Sequence, residues 1–169
     1  MRILSPAFAA AALLLAASAC VPYRLGSSLP EDVRTVRVPI CVNNTSEPLI
    51  ENDVTAAILS QIQMDGTLRV VRENPDCLLE ITLKNFRLDP VAYDSRDSAT
   101  VNQYRMRITA SFVLRRQSDN SVVAESPSVT GWYDFDFTGD LTSSKSVALR
   151  PAADDLGRRI VAAITQYWP

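Results

Sequence analysis

Arg105, Arg107, Arg115 and Arg116 crowd one stretch of a chain whose 19 acidic residues outnumber its 17 basic ones. The first three share one face of an alternating segment and Arg116 follows at its end, so a strip of guanidinium groups forms that can grip phosphate or carboxylate in bidentate fashion. The same pattern also describes the solvated outer face of an antiparallel sheet, apolar inside and charged outside. Lys84 and Arg87, on a neighbouring segment, extend either version. Two acidic pairs, Asp134/Asp136 and Asp154/Asp155, have the residue types for general acid and base work, but each also reads simply, as a solvated strand face and as a helix start. The chain has no histidine, which removes the commonest general base, the Ser-His and Cys-His nucleophile pairs and the commonest metal ligand. With five glycines in all, it shows no phosphate-cradling loop, no CxxC and no nucleophile elbow. These residues point to a protein that binds or builds and does not catalyse, with no cofactor or metal expected. A net charge of −2 argues against nucleic acid as a partner.

Cys20 carries a different chemistry. Arg2 is followed by 3–19, a stretch without an ionisable side chain, and Ala17, Ser18 and Ala19 give the narrow side chains a signal peptidase needs. A cysteine directly after them resembles the bacterial lipobox, which implies a thiol carrying a diacylglyceryl group at the mature N-terminus. Val21, in place of Asp, implies the outer membrane over the inner one. About half of the apolar stretch is alanine and it contains Pro6, a poor composition for a membrane-crossing helix. The expected organisation is a lipoprotein signal at 1–19, a lipidated N-terminus and tether at 20–32, and a single domain at 33–169. Two or more acyl chains suffice for stable residence at a membrane, at about 0.8 kcal/mol per buried methylene.

An exported protein permits disulfides, so Cys41 and Cys77 invite pairing. Strand alternation places Cys77 with Leu79, Ile81 and Leu83 but sets Cys41 opposite Val36, Val38, Ile40 and Val42, which favours two separate thiols. Asn43 and Asn44 begin glycosylation-like triplets, read here as loop residues.

The elements that must position these groups follow from periodicity. Residues 33–42 alternate as a half-buried strand, with Pro39 favouring an edge or a bulge. Ile50, Val54, Ala57, Ile58 and Ile62 recur at helical spacing, predicting a helix over 49–65 closed by Gly66. Strands are expected over 67–73 and 77–88, a loop over 89–100, and a long strand in which Tyr104, Met106, Ile108, Ala110, Phe112 and Leu114 face inward. A turn at 118–121 leads to 122–125, and a further alternating piece covers 129–137. A second helix is expected to begin at Pro151, with Asp154 and Asp155 near its start, Arg158 and Arg159 four residues on, and Leu156, Ile160, Ala163, Ile164 and Tyr167 as its buried stripe. The fold class is α+β: a two-layer sandwich, two helices packed on one mixed, mostly antiparallel sheet.

Four stretches carry a resemblance to a known family: Tyr23-Arg24-Leu25 with Leu29-Pro30; Thr35-Val36-Arg37-Val38-Pro39 with Asn43-Asn44-Thr45; Val54-Thr55-Ala56-Ala57; and Asp76 followed by Leu79 and Leu83. With the long central strand and a closing helix ending at Trp168, their order resembles LptE, the lipoprotein of the outer-membrane lipopolysaccharide assembly complex. The resemblance implies an outer-membrane lipoprotein, anchored on the periplasmic side, that plugs the β-barrel protein LptD and assists lipopolysaccharide to the outer leaflet. It makes the lipid A phosphates natural partners for Arg105, Arg107, Arg115 or Arg116. The alternative is a lipoprotein subunit of another envelope secretion or transport assembly, one that self-associates into rings.

Overall fold

The computed structural model describes residues 29–93 and 101–166. Its first helix, α1, runs Ile50–Asp65 and buries Ile50, Val54, Ala57, Ile58 and Ile62, the predicted stripe with Thr55 added. Gly66 ends it at φ +73°, a left-handed conformation that suits a residue without Cβ, and its N–H donates to the Ile62 carbonyl at 3.1 Å. Six strands form one mixed sheet: β1 (Thr35–Arg37), β2 (Val42–Asn43), β3 (Arg69–Val70), β4 (Cys77–Tyr93), β5 (Val101–Arg116) and β6 (Val122–Asp136). Their order is β3-β1-β4-β5-β6, with β2 beside β4. β1 pairs in parallel with β3 and β4, β2 pairs in parallel with β4, and the long β4, β5 and β6 pair antiparallel. The second helix, α2 (Leu141–Thr165), lies with α1 on one face of the sheet. This is the expected two-layer α+β sandwich.

Between the layers Val36, Cys77, Leu79, Leu83, Met106, Ile108 and Leu114 from the sheet meet Ile58, Leu156, Ile160 and Ile164 from the helices, all essentially inaccessible to solvent. Full burial of such a side chain contributes about 2 kcal/mol. The helices come close because small residues stand at the contacts. A Cβ on Gly131 of β6 would lie 2.4 Å from the Leu156 backbone nitrogen, and one on Gly157 would lie 3.3 Å from the Ala57 carbonyl group of α1.

Five expectations need correction. The strand over 33–42 breaks into β1 and β2: Val36 pairs with Cys77 but Val42 pairs with Thr82, so one extra residue bulges out around Pro39. A one-residue slip exchanges the two faces. Cys41 therefore points into the core at 3% exposure, while Ile40 and Val42 turn outward at 65% and 56%. Over 67–73 only β3 keeps strand pairing. The residues after Leu88 continue β4 to Tyr93 instead of looping; past Leu83 neither β1 nor β2 flanks β4, so Pro90 sits on an edge where its missing donor is tolerated. Likewise 122–125 and 129–137 are one strand, β6, continuous through a bulge beside Pro127. Finally, α2 starts ten residues before Pro151. Asp140 caps it, its carboxylate accepting from Thr142 N–H and Ser143 N–H at 3.3 and 2.8 Å. Tyr167 and Trp168 lie outside the described residues.

Candidate functional site

Because both helices lie on one side, the opposite face of β4, β5 and β6 is open along strands of 17, 16 and 15 residues. That face receives the odd-numbered arginines of β5. Arg105 is held by Asp134 across the β5–β6 pair, Nε to Oδ1 and Nη2 to Oδ2, both at 2.7 Å. The bidentate geometry fixes the guanidinium plane. Its Cζ lies 4.3 Å above the Trp132 ring, a cation–π contact. The Arg105 hydrogen bonds hold the Asp134 carboxyl below the usual carboxylate range. Arg107 pairs with Asp89 at 3.2 Å and Arg115 with Glu80 at 3.5 Å. Between the two ionic ends lies a band of hydroxyls: Thr109 and Thr130 bond each other at 2.9 Å, and Ser111 sits opposite Thr82 in register.

Arg116 is separated from the other three. It leaves the end of β5, pairs with Asp32 and lies 4.0 Å from Asp119. It lines a hollow of about 580 Å³ with Asp32, Asn74, Asp76 and Gln117. The strip of four read from the sequence is thus three cross-strand ion pairs plus one arginine at the strand end. Lys84 donates to the Pro127 carbonyl at 3.1 Å, and Arg87 stands opposite Arg107 in register.

The acidic pairs separate as well. Asp134 serves Arg105, and Asp136 accepts from Gln103 at 3.1 Å. Asp155 lies mid-helix, 14% exposed, with Arg158 at 2.5 Å and Arg159 at 2.7 Å. It also accepts the backbone N–H of Trp132 at 3.0 Å, tying α2 to the free edge of β6. Burial raises its proton affinity, but the hydrogen bonds from Arg159, Arg158 and Trp132 outweigh it and the carboxyl titrates low. Between β1 and β2, Cys41 N–H donates to Thr55 Oγ1 of α1 at 3.0 Å, tying the bulged segment to the helix layer. Cys41 and Cys77 are separate buried thiols, and burial pushes Cys77 up to about 11 and Cys41 upward too. Among the described residues no group of His, Cys, Asp and Glu is arranged to hold a metal ion, and no helix is long and apolar enough to cross a membrane. Cys20 lies outside the described residues.

Apolar groups also stand on this surface, none of them a candidate site residue in the sequence. Ile40 and Val42 wall a groove of about 370 Å³ with Thr82, Ser111 and Val113, and Trp132 is 40% exposed on the far border. Pro39, inside an otherwise regular alternation, was the available signal for the first pair.

A family model described as LptE, lipopolysaccharide-assembly, matches residues 33–164. Among solved structures, the chain is similar to a protein from Xanthomonas campestris, with TM-score 0.56 and 16% identity over 82% of this chain and 89% of that one. A protein from Chlamydia trachomatis matches with TM-score 0.53 and 11% identity, over 79% and 96% of the two chains. A minor lipoprotein from Acinetobacter baumannii gives 0.52 and 12%, over 79% and 94%. At these identities the likeness establishes the fold. Comparison with curated proteins finds no match.

Proposed function

The chain belongs to the LptE lipopolysaccharide-assembly family, and from that premise we propose that it is a non-catalytic outer-membrane lipoprotein that plugs and assists an LptD-type β-barrel translocon. Cys20 supplies the anchor on the periplasmic side, and the folded domain supplies the plug. The observation that carries this reading is the extent of the family match, which takes in all six strands, α1 and all but the last residue of α2. Two features of the site support it. Of the four acidic side chains singled out as candidate acids or bases, Asp134, Asp136 and Asp155 each hold a named partner. The uncovered sheet face offers a surface for a large partner.

Purification of the tagged full chain from detergent-extracted membranes tests the reading. The expected result is a large heat-modifiable barrel protein in the eluate, with Cys20→Ala shifting the chain from membrane to periplasmic fraction. An acyl-free chain recovered alone from periplasmic fluid overturns it, and recovery as a ring of identical copies supports the self-associating alternative.

A further inference from the structure

We propose that the hollow bordered by Asp32, Asp76 and Arg116, at the end of the sheet where the chain enters the domain, binds the phosphoethanolamine headgroup of a phospholipid in the leaflet that holds the anchor. The hollow and its charges stand on geometry; their place beside a leaflet rests on the anchored function given above.

Arg116 carries the first observation. Among the described residues its Nε is the one buried side-chain polar atom without a hydrogen-bond partner, with Asp119 Oδ1 at 4.0 Å, beyond bonding reach. A buried guanidinium N–H with no acceptor is costly, and an orphan of this kind calls for a ligand or ion. Its other ionic contact, to Asp32, is made through Nη1 alone. The Asp32 side chain is 59% exposed on the turn before β1, so the pair is solvent-screened and exchangeable. A phosphate offers two oxygens to the guanidinium fork where Asp32 engages one nitrogen.

The second observation is the sign of the surroundings. Asp32 and Asp76 line the hollow with Arg116 and Asp119 stands near it, so carboxylates outnumber the cation. A simple anion entering here would release Asp32 into an acidic neighbourhood, and the multiply charged phosphates of a glycolipid match it still less. A zwitterion meets no such penalty. As its phosphate takes Arg116, its ammonium re-pairs the released Asp32, and no charge is left bare. Asp76 is ready for the same ammonium. Its Oδ2 accepts from the Thr35 hydroxyl, Thr35 N–H and Arg34 N–H at 2.7, 2.8 and 3.1 Å, which fixes the carboxylate, while none of these bonds uses Oδ1. A primary ammonium brings three donors to the two carboxylates.

The third is size and place. About 580 Å³ falls within the roughly 300–1,000 Å³ of small-molecule sites, and Asn74, Gln117 and Ser118 add amide and hydroxyl groups to the lining. The hollow adjoins the entry of the tether: Leu29 packs against the core, and Val33 N–H donates to the Pro30 carbonyl at 3.0 Å. From Cys20 to Leu29 the chain spans at most about 30 Å fully extended, so an acylated Cys20 keeps this end of the domain near the leaflet surface.

The test titrates the purified full chain, in detergent without phosphate buffer, with glycerophosphoethanolamine, glycerophosphoglycerol and inorganic phosphate in a calorimeter. The expected result is saturable binding of the first at one site per chain, with the other two at least about tenfold weaker. Arg116→Gln lowers glycerophosphoethanolamine affinity at least about tenfold, the loss of a charge-assisted pair. Asp32→Asn, a change on an exposed side chain, lowers it too but raises affinity for inorganic phosphate, a reversal that a merely structural role does not produce. In vesicles of equal parts phosphatidylethanolamine and phosphatidylglycerol, the acylated chain with the photo-crosslinker benzoylphenylalanine at position 118 gives adducts mainly to the former, and the same group at position 147, near the far end of the sheet, gives few. No binding, equal affinity for the three probes, an affinity unmoved by Arg116→Gln, displacement by lipopolysaccharide, or adducts to both phospholipids in equal measure overturns the proposal. The titration needs neither barrel nor membrane, so those outcomes leave the function given above standing; an acyl-free chain recovered from periplasmic fluid overturns that function whatever the titration reads.

Discussion

The two faces of the sheet are made from the same strands and obey opposite rules. On the covered face, side chains from β1, β4 and β5 are close to fully buried and the helices approach to backbone contact at Gly131. On the open face, Arg105, Arg107 and Arg115 pair across strands and hydroxyls bond each other, with solvent able to replace most of these contacts. The contrast teaches that stability resides on one side and is nearly independent of the other, which leaves the open side free to be shaped by a partner.

Mutations can break or sharpen this contrast. The largest effect is expected from Gly131→Ala, whose methyl would lie 2.4–2.5 Å from Leu156 backbone and side-chain atoms. Neither backbone can yield cheaply, so denaturant unfolding should show a loss of about 3 kcal/mol or more. Next is Asp155→Ala, which removes the acceptor for Trp132 N–H and for two arginines; a loss of about 2 kcal/mol is expected. A pH series sharpens the same point. Asp155, Asp134 and Asp76 all titrate below the usual carboxylate range in the folded state, Asp76 chiefly through its bond from the Thr35 hydroxyl. Groups with depressed folded values stabilise the fold above the unfolded value of about 3.9 and lose that contribution as pH falls through the folded value. Melting temperature should therefore hold from pH 7 to 5 and fall steeply below 4, with a shallower fall in Asp155→Asn. The smallest effect belongs to the open face: Arg107→Ala, breaking a pair about half exposed on the Arg side, should change unfolding free energy by no more than about 0.5 kcal/mol.

How much of this was legible in the sequence also divides by face and by length. The α1 stripe and its Gly66 terminus stand in the structure as periodicity predicts, because a strong 3.6-residue pattern with a left-handed stop leaves one solution. The inward set of β5, Met106 to Leu114, is equally direct. Four things were hidden by proline. Pro39 marks a bulge whose only outcome is to exchange Ile40 and Cys41 between faces, and alternation alone counts straight through it. Pro90 and Pro127 look like strand breakers until the sheet order shows an edge and a bulge that tolerate them. Pro151 looks like a helix start because Leu141 to Arg150 is mostly polar; the earlier start depends on the local cap at Asp140 and on the burial of Ser144 and Ala148, which is a tertiary fact. The arginine strip was legible as a strip. Its neutralisation was not, since Asp89, Glu80 and Asp134 reach Arg107, Arg115 and Arg105 only through the β4–β5–β6 register.

The most direct measurement is a paired one, comparing the thermal melt of the double variant Ile40→Ser/Trp132→Ser with that of Gly131→Ala. If folding lives on the covered face, the melt of the double variant stays cooperative within a few degrees of the parent, about what a 1 kcal/mol change produces, while Gly131→Ala melts well below both. A double variant destabilised as much as Gly131→Ala would contradict the account.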